Sequence, residues 1–232
     1  GGGNVMGSLE LKKIGMSASP FRSGPLVAFA AATDLSYALL ALWTPPAAHP
    51  LLRWWVQHRY LKLAPAYDAY IARHATTYGA ALIAALERVP GTPQHILDAS
   101  SGTGYAAEAL GRRYPQAQVI ACDLSFAMAQ HAQRRLRPGR VVCADGGCLP
   151  FADRTFDLVV LQNAPPALGE LARLVDVAGW LVLAFSTGAT VPGWIRARLD
   201  RRLQTLGFGD RTWDRVGDGL FVAASRGSVG GQ

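Results

Sequence analysis

Ile96-Leu97-Asp98-Ala99-Ser100-Ser101-Gly102-Thr103-Gly104 is the stretch on which the fold turns. An apolar run ends in a carboxylate and gives way to six small residues that include Gly102 and Gly104. The segment reads as a strand over His95–Asp98, a tight loop, and a helix over Gly104–Tyr114. Glycine permits unusual dihedrals and lets another group approach the backbone closely. The first turn of a helix leaves N–H groups without intrahelical partners. Working outward, the same alternation repeats. Strands are predicted at Gln118–Cys122, Arg140–Ala144, Phe156–Gln162 and Trp180–Phe185, with helices at Ser125–Leu136, Leu168–Val175 and Pro192–Leu206. Two late strands, Thr212–Val216 and Leu220–Ala224, flank the turn Gly217-Asp218-Gly219 and predict an antiparallel hairpin at one sheet edge. Strands separated by helices imply a mainly parallel sheet covered on both faces. The expectation is an α/β chain with a Rossmann-like seven-stranded sheet, a C-terminal antiparallel hairpin and an N-terminal helical cap.

The rest of the chain divides around this core. Residues 1–18 read as a leader, on the Gly-Gly-Gly start and a second methionine at Met16. Residues 19–90 read as the helical cap, 91–226 as the Rossmann-like domain and 227–232 as a tail. Within the cap, Leu26–Trp43 is apolar and nearly long enough to cross a bilayer, but Asp34 near its centre makes spanning costly. It reads as a buried or interfacial helix ended by Thr44-Pro45-Pro46. Leu51–Leu63 mixes Trp54, Trp55 and Tyr60 with Arg53, His58, Arg59 and Lys62. An ordinary amphipathic helix explains that mixture, and a membrane interface or a lipid-like ligand also suits it. Tyr67–Leu86 reads as a further helix, with no proline until Pro90.

Two readings of the central loop compete. Gly102-Thr103-Gly104-Tyr105-Ala106-Ala107 fits the relaxed G-x-G-x-x-G/A dinucleotide pattern. Asp98 argues against it, because an anion beside the loop repels a pyrophosphate and tolerates a cationic adenosyl-sulfonium. Asp98 can also accept a hydrogen bond from an ammonium group. Asp123 ends the next strand, where an acidic side chain can accept both hydroxyls of a ribose. Its plainer role is as cap of the following helix, for which Ser125 is the rival. Asp145 and Gly146 end the third strand, where a carboxylate can accept from an adenine amino group and a glycine admits the ring. A turn residue beside glycines is the plainer reading there.

The order of these three elements, followed by Glu170-Leu171-Ala172-Arg173-Leu174-Val175 and Ala178-Gly179-Trp180, resembles the class I S-adenosylmethionine-dependent methyltransferases. The similarity runs from about Ala64 to Arg226 and is nearest the ubiquinone/menaquinone-biosynthesis type of small-molecule methyltransferase. It implies S-adenosylmethionine as cofactor, S-adenosylhomocysteine as product and no metal. By position it places Asp98, Ser100, Gly102 and Gly104 around the methionine part of the cofactor, Asp123 on the ribose, Leu124 and Met128 near the adenine, and Asp145 and Gly146 on the adenine amino group. Gln162 and Asn163 fall where the methyl group is exposed, and Tyr67, from Ala64-Pro65-Ala66-Tyr67-Asp68, closes over the cofactor. Two departures stand out: Ser100 replaces the usual first glycine of the loop, and the connection from Asn163 through Pro165-Pro166 to Leu168 is short.

Methyl transfer is mainly a matter of alignment, and a base is required only when the nucleophile must lose a proton. Tyr67, His74, Tyr78 and Asn163 are the candidates, none of them singled out by the sequence. Trp194 and Phe185 are pocket or core residues. The aromatic, apolar N-terminal region suggests a small hydrophobic or lipid-like acceptor and peripheral membrane contact through the cap. The net charge of +7 leaves RNA as a rival substrate, through Arg134, Arg135, Arg137 and Arg140 and through Arg196, Arg198, Arg201 and Arg202. No appended RNA-binding module supports it, and an Arg-rich genome accounts for the charge as well. A non-catalytic cofactor-binding protein is the third reading. Cys122, Cys143 and Cys148 lack disulfide or zinc spacing, which points to a reducing, cytoplasmic setting and to buried apolar roles for the thiols.

Overall fold

The structure is a computed structural model, and it describes residues 50–137, 139–186 and 191–227. The predicted leader, the Leu26–Trp43 helix and the end of the tail lie outside the described residues. The elements in chain order are α1 (Pro50–Arg73), α2 (Ala75–Tyr78), α3 (Ala80–Leu86), β1 (His95–Ala99), α4 (Tyr105–Arg113), β2 (Gln118–Asp123) and α5 (Phe126–Arg135). They continue with β3 (Val141–Cys143), β4 (Phe156–Gln162), α6 (Leu168–Leu174), β5 (Val175–Phe185), α7 (Gly193–Thr205), β6 (Phe208–Val216) and β7 (Gly219–Arg226).

The seven strands order as β3-β2-β1-β4-β5-β7-β6. The first five are parallel, and β7 runs antiparallel between β5 and β6. The order reverses at β1, which leaves a crevice above the carboxyl ends of β1 and β4, where open α/β sheets bind ligands. Alternation along the strands assigns the faces. Ile96, Leu158, Val160, Val182 and Phe221 pack with α3 and α4, and Leu97, Val159, Leu161, Leu183 and Val222 pack with α6 and α7. Because β4 is covered on both faces, it reads as a nearly unbroken apolar run.

Three predicted boundaries are corrected. The two cap helices expected on either side of Pro65 are one helix, α1, which carries Pro65 inside it. The expected Tyr67–Leu86 helix breaks instead at His74 and Gly79. A proline removes one donor and need not end a helix whose flanks are packed. Ala81, Leu82, Ala85 and Leu86 of α3 are buried in the same cluster as the sheet residues. The fifth strand starts at Val175 rather than Trp180, because a bulge intervenes: Phe156 pairs with Val175 and Leu158 with Trp180. Ala178 takes the left-handed conformation there, at φ 61°.

The cysteines need a further correction. Cys122 is buried, but Cys143 and Cys148 are exposed. Cys143 lies on β3 at the sheet edge and Cys148 in the loop that follows, where few neighbours cover them. Among the described residues no helix is long and apolar enough to cross a membrane.

The cap is tied to the sheet layer by charge. Arg135 on α5 donates to Asp68 on α1 at 2.8 Å and to Glu108 on α4 at 3.2 Å, and His131 lies 3.6 Å from Asp68. One residue of the predicted RNA-binding cluster is therefore spent on an internal ion-pair network. From the second cluster, Arg196 stacks over the Trp213 ring at 5.4 Å.

Candidate functional site

Asp98 sits at the carboxyl end of β1 and is fully buried. Neither carboxylate oxygen has a hydrogen-bond partner among the described residues. Burial pushes its pKa up to about 8, and the nearby charge of Asp123 adds to the rise. The backbone of Ala107, in the first turn of α4, offsets part of it. A buried acid in this condition favours a cationic or hydrogen-bond-donating ligand over solvent-free isolation.

The loop after Asp98 is shaped by left-handed residues. Ser100 has φ 60° and Gly102 φ 55°. Ser100 thus takes a left-handed dihedral of the kind that favours glycine. Ser101 N–H donates to the Cys122 carbonyl at 2.8 Å, which ties the loop to β2. Gly104, at φ 85°, caps α4. A Cβ there would stand 3.1 Å from Ala132 Cβ and 3.2 Å from its Cα, so glycine is what lets α4 begin against α5.

Asp123 ends β2. Its Oδ2 accepts from Gly102 N–H and its Oδ1 from Ser125 N–H, both at 2.8 Å. Burial raises its pKa to about 6 against the opposing effect of those two donors. Ser125, and not Asp123, caps α5, accepting from Met128 N–H at 3.4 Å. The Gly102 N–H that a dinucleotide pyrophosphate would need is therefore already held by a carboxylate. Asp145 Oδ1 accepts from Gly147 N–H at 2.8 Å, so the turn role expected of it is real, and the residue also faces the cleft.

The other end of the cleft is built from amides and tyrosines. Gln162, at the end of β4, donates through Nε2 to the Tyr78 carbonyl at 2.7 Å. Ser186 Oγ donates to that same carbonyl at 2.6 Å. Asn163, at φ 55°, accepts from Ser186 N–H at 2.7 Å and donates to Ser186 Oγ at 2.9 Å. Both arms of its amide thus clasp the ends of β4 and β5. The Tyr67 and Tyr78 hydroxyls are 3.3 Å apart. Burial raises the Tyr78 pKa, with hydrogen bonding to Tyr67 and Asn163 working against the rise.

One cleft joins the two ends. Every residue predicted to hold the cofactor lines it except Gly104, whose place is the α4–α5 contact. Tyr67, Tyr78 and Asn163 line it as well. His74 does not: its Nδ1 is 2.9 Å from the Tyr70 carbonyl and its ring lies 4.6 Å from the Tyr70 ring. Trp194 is exposed on α7, and Phe185 packs beside the α6–α7 core cluster. Sequence reading missed Tyr60, Gly147, Ala164 and Pro165 as lining residues. Tyr60 belongs to an aromatic helix whose inward face had no sequence signal, Gly147 and Ala164 directly follow predicted positions, and Pro165 lies in the short connection after Asn163. Among the described residues no three His, Cys, Asp or Glu side chains are grouped to hold a metal ion.

A methyltransferase-domain family model matches residues 96–178. Malonyl-[acyl-carrier protein] O-methyltransferase from Halorhodospira halophila is 42% identical over 113 residues, covering 44% of this chain and 38% of that protein. Demethylmenaquinone methyltransferase from Thermobifida fusca is 40% identical over 115 residues, covering 44% of this chain and 47% of that protein. The chain therefore spans less than half the length of these two curated relatives. An S-adenosylmethionine-dependent methyltransferase structure from Thermotoga maritima aligns with TM-score 0.56 and 15% identity, over 73% of this chain and 99% of its own. The chain is thus similar to methyltransferases in sequence over part of its length, and it shares the fold of an S-adenosylmethionine-dependent methyltransferase over nearly three quarters of it.

Proposed function

We propose that the chain is an S-adenosylmethionine-dependent methyltransferase that acts on a small, hydrophobic acceptor by in-line transfer. One observation carries the cofactor half: Asp98 is fully buried with neither carboxylate oxygen hydrogen-bonded, at the strand end facing the cleft. Asp123 and Asp145 line the same cleft, and an entering cation would draw Asp98 to its ionised form. Such a site suits a ligand that carries an ammonium, a sulfonium and two vicinal hydroxyls, and it opposes a pyrophosphate. The residues present therefore fit the cofactor. When bound, that group supplies an activated methyl on a cationic sulfur.

The chain's own part is positioning. Asp98 receives the ammonium, and the Ser100–Gly102 loop lets the cofactor lie close to the backbone. Asp123 accepts the ribose hydroxyls while Gly102 and Ser125 hold it in place. Leu124 and Met128 face the adenine, and Asp145 with Gly146 meets its amino edge. These assignments put the methyl towards the end of β4, two strand spacings, about 10 Å, from β2. There Tyr67 and Tyr78 exclude water and hold the acceptor in line with the carbon–sulfur bond. The relatives carry names with acceptors as different as a malonyl group on a carrier protein and demethylmenaquinone, so similarity narrows the acceptor to no single compound.

Calorimetry with S-adenosylhomocysteine and, separately, NADH tests the reading. Binding of the former and none of the latter is expected. Asp123→Ala should weaken S-adenosylhomocysteine by about 100-fold, the loss of two hydrogen bonds to a charged group. An unchanged thermal midpoint would show that the variant is folded. NADH binding, or no binding of either ligand by the unaltered chain, would overturn the proposal.

A further inference from the structure

Gln162 presents an acceptor that the protein leaves unmatched. The residue is only 7% exposed and lines the cleft. Its Nε2 is the atom 2.7 Å from the Tyr78 carbonyl, since a carbonyl accepts and never donates. That assignment fixes the amide orientation and leaves Oε1 as the other arm. Oε1 is buried with no hydrogen-bond partner among the described residues. The Tyr78 carbonyl cannot relieve it, and that oxygen already takes donors from both Gln162 and Ser186. A buried acceptor without a donor costs about 1–3 kcal/mol, so a residue held this way is matched to something that enters the cleft.

The surroundings say what enters. Asp98 pairs in register with Val160, two residues before Gln162, so Asp98 and Gln162 share one sheet face at adjacent strand ends. Both offer lone pairs. Tyr60, Tyr67 and Tyr78 supply aromatic walls to the same cleft. A flat, uncharged ring bearing an O–H or N–H satisfies these conditions together. An ionised carboxylate would set its own lone pairs against Oε1, at a cost in a site shielded from water.

Building on the methyltransferase reading, we infer that Gln162 determines acceptor choice: its Oε1 accepts a hydrogen bond from a hydroxyl or N–H on a flat, neutral acceptor and disfavours an ionised carboxylate. This sets the chain apart in acceptor chemistry from relatives named for a malonyl group, although the cofactor half is similar.

The full chain is first titrated with S-adenosylhomocysteine, and the loaded protein then receives three probes of one shape. These are 2-naphthol, 2-methoxynaphthalene, which lacks the donor, and 2-naphthoate, which carries the charge. The unaltered chain should bind 2-naphthol about tenfold more tightly than either of the others, the worth of one buried hydrogen bond. Gln162→Leu should bring 2-naphthol and 2-methoxynaphthalene to within about twofold of each other. Ser186→Ala removes the other donor to the Tyr78 carbonyl, leaves Gln162 Oε1 in place and should keep the tenfold preference.

Equal binding of 2-naphthol and 2-methoxynaphthalene by the unaltered chain would overturn the inference. So would a preference for 2-naphthoate, binding of none of the three probes, or an equal loss of preference in Ser186→Ala. If Gln162→Leu weakens S-adenosylhomocysteine and leaves the naphthol preference intact, Oε1 serves the cofactor ammonium and the inference is likewise overturned. Failure of the first titration would count against the methyltransferase reading, whereas success there without a naphthol preference counts against Gln162 alone.

Discussion

The two ends of the cleft are made by different means. At the β1–β2 end, carboxylates are held by backbone N–H groups of the strand-end loops: Ser125, two residues on, and Gly102, 21 residues back, on Asp123, and Gly147, two residues on, on Asp145. At the β4–β5 end, side-chain amides and a hydroxyl converge on Tyr78, which is 84 positions from Gln162 and 108 from Ser186. The first end is a property of loops, whose shape tolerates little change in dihedral angle. The second is a property of packing, because it exists only while α2 and α3 stay seated on the sheet. A cofactor common to a whole family suits the first kind of construction. An acceptor that differs between members suits the second.

Three changes would break or sharpen that contrast, in falling order of expected effect. Asp98→Asn comes first. The aspartate ionises above about 4 in an unfolded chain and above about 8 in the folded, ligand-free protein. The folded chain therefore binds one more proton across that window, and stability falls as pH rises through it. The variant removes this loss, so its advantage over the unaltered chain should grow between pH 5 and pH 8 by an amount on the order of 2–4 kcal/mol. It should also lose S-adenosylhomocysteine affinity. Denaturant melts at the two pH values measure the first effect. A gap that stays constant with pH would show that Asp98 is not the buried acid described.

Gly104→Ala comes next. Its φ of 85° and the 3.2 Å approach to the Ala132 backbone predict a loss of about 2–3 kcal/mol. Gly102→Ala should cost less, because a Cβ there meets only Tyr67 Cε1 at 3.8 Å, and it should act mainly on ligand affinity. Equal destabilisation by the two would erase the distinction between a packing glycine and a cradle glycine.

Asn163→Ala is the smallest effect, at about 1–2 kcal/mol, since it removes both links to Ser186 and puts alanine at φ 55°. Asn163→Gly relieves the backbone and not the hydrogen bonds, so it should recover part of the loss. Full recovery in thermal melts would mean that the amide clasp contributes nothing.

Legibility followed the same division. The β1 strand, its loop and the start of α4 were readable to within a residue, and the antiparallel C-terminal pair was expected, although its first strand starts at Phe208 rather than Thr212 and its second runs on to Arg226. Asp98, Asp123 and Asp145 could be found because each falls at or next to the end of a strand. Gly104 looked like a cleft residue because motif spacing does not distinguish a glycine that faces a ligand from one that faces a helix. The gap left between Leu51–Leu63 and Tyr67–Leu86 is closed by α1, which carries Pro65 inside it. The bulge in β5 left no periodic trace, since Val175 and Trp180 are both apolar and the residues between them resemble a turn.

Local chemistry along the chain was enough for the alternating elements, the sheet with both faces covered, and the carboxylates that line the cleft. Those follow from periodicity, from glycine dihedrals and from charge, all of which act over a few residues. The tertiary structure alone decided which helix seats Tyr78 over β4, which arm of Gln162 is left to face the cleft, that His74 turns away from it, and that Arg135 is bound to Asp68 and Glu108. Each of those is a contact between residues distant in sequence or a choice between two faces, and only the packing of helices on the sheet sets it.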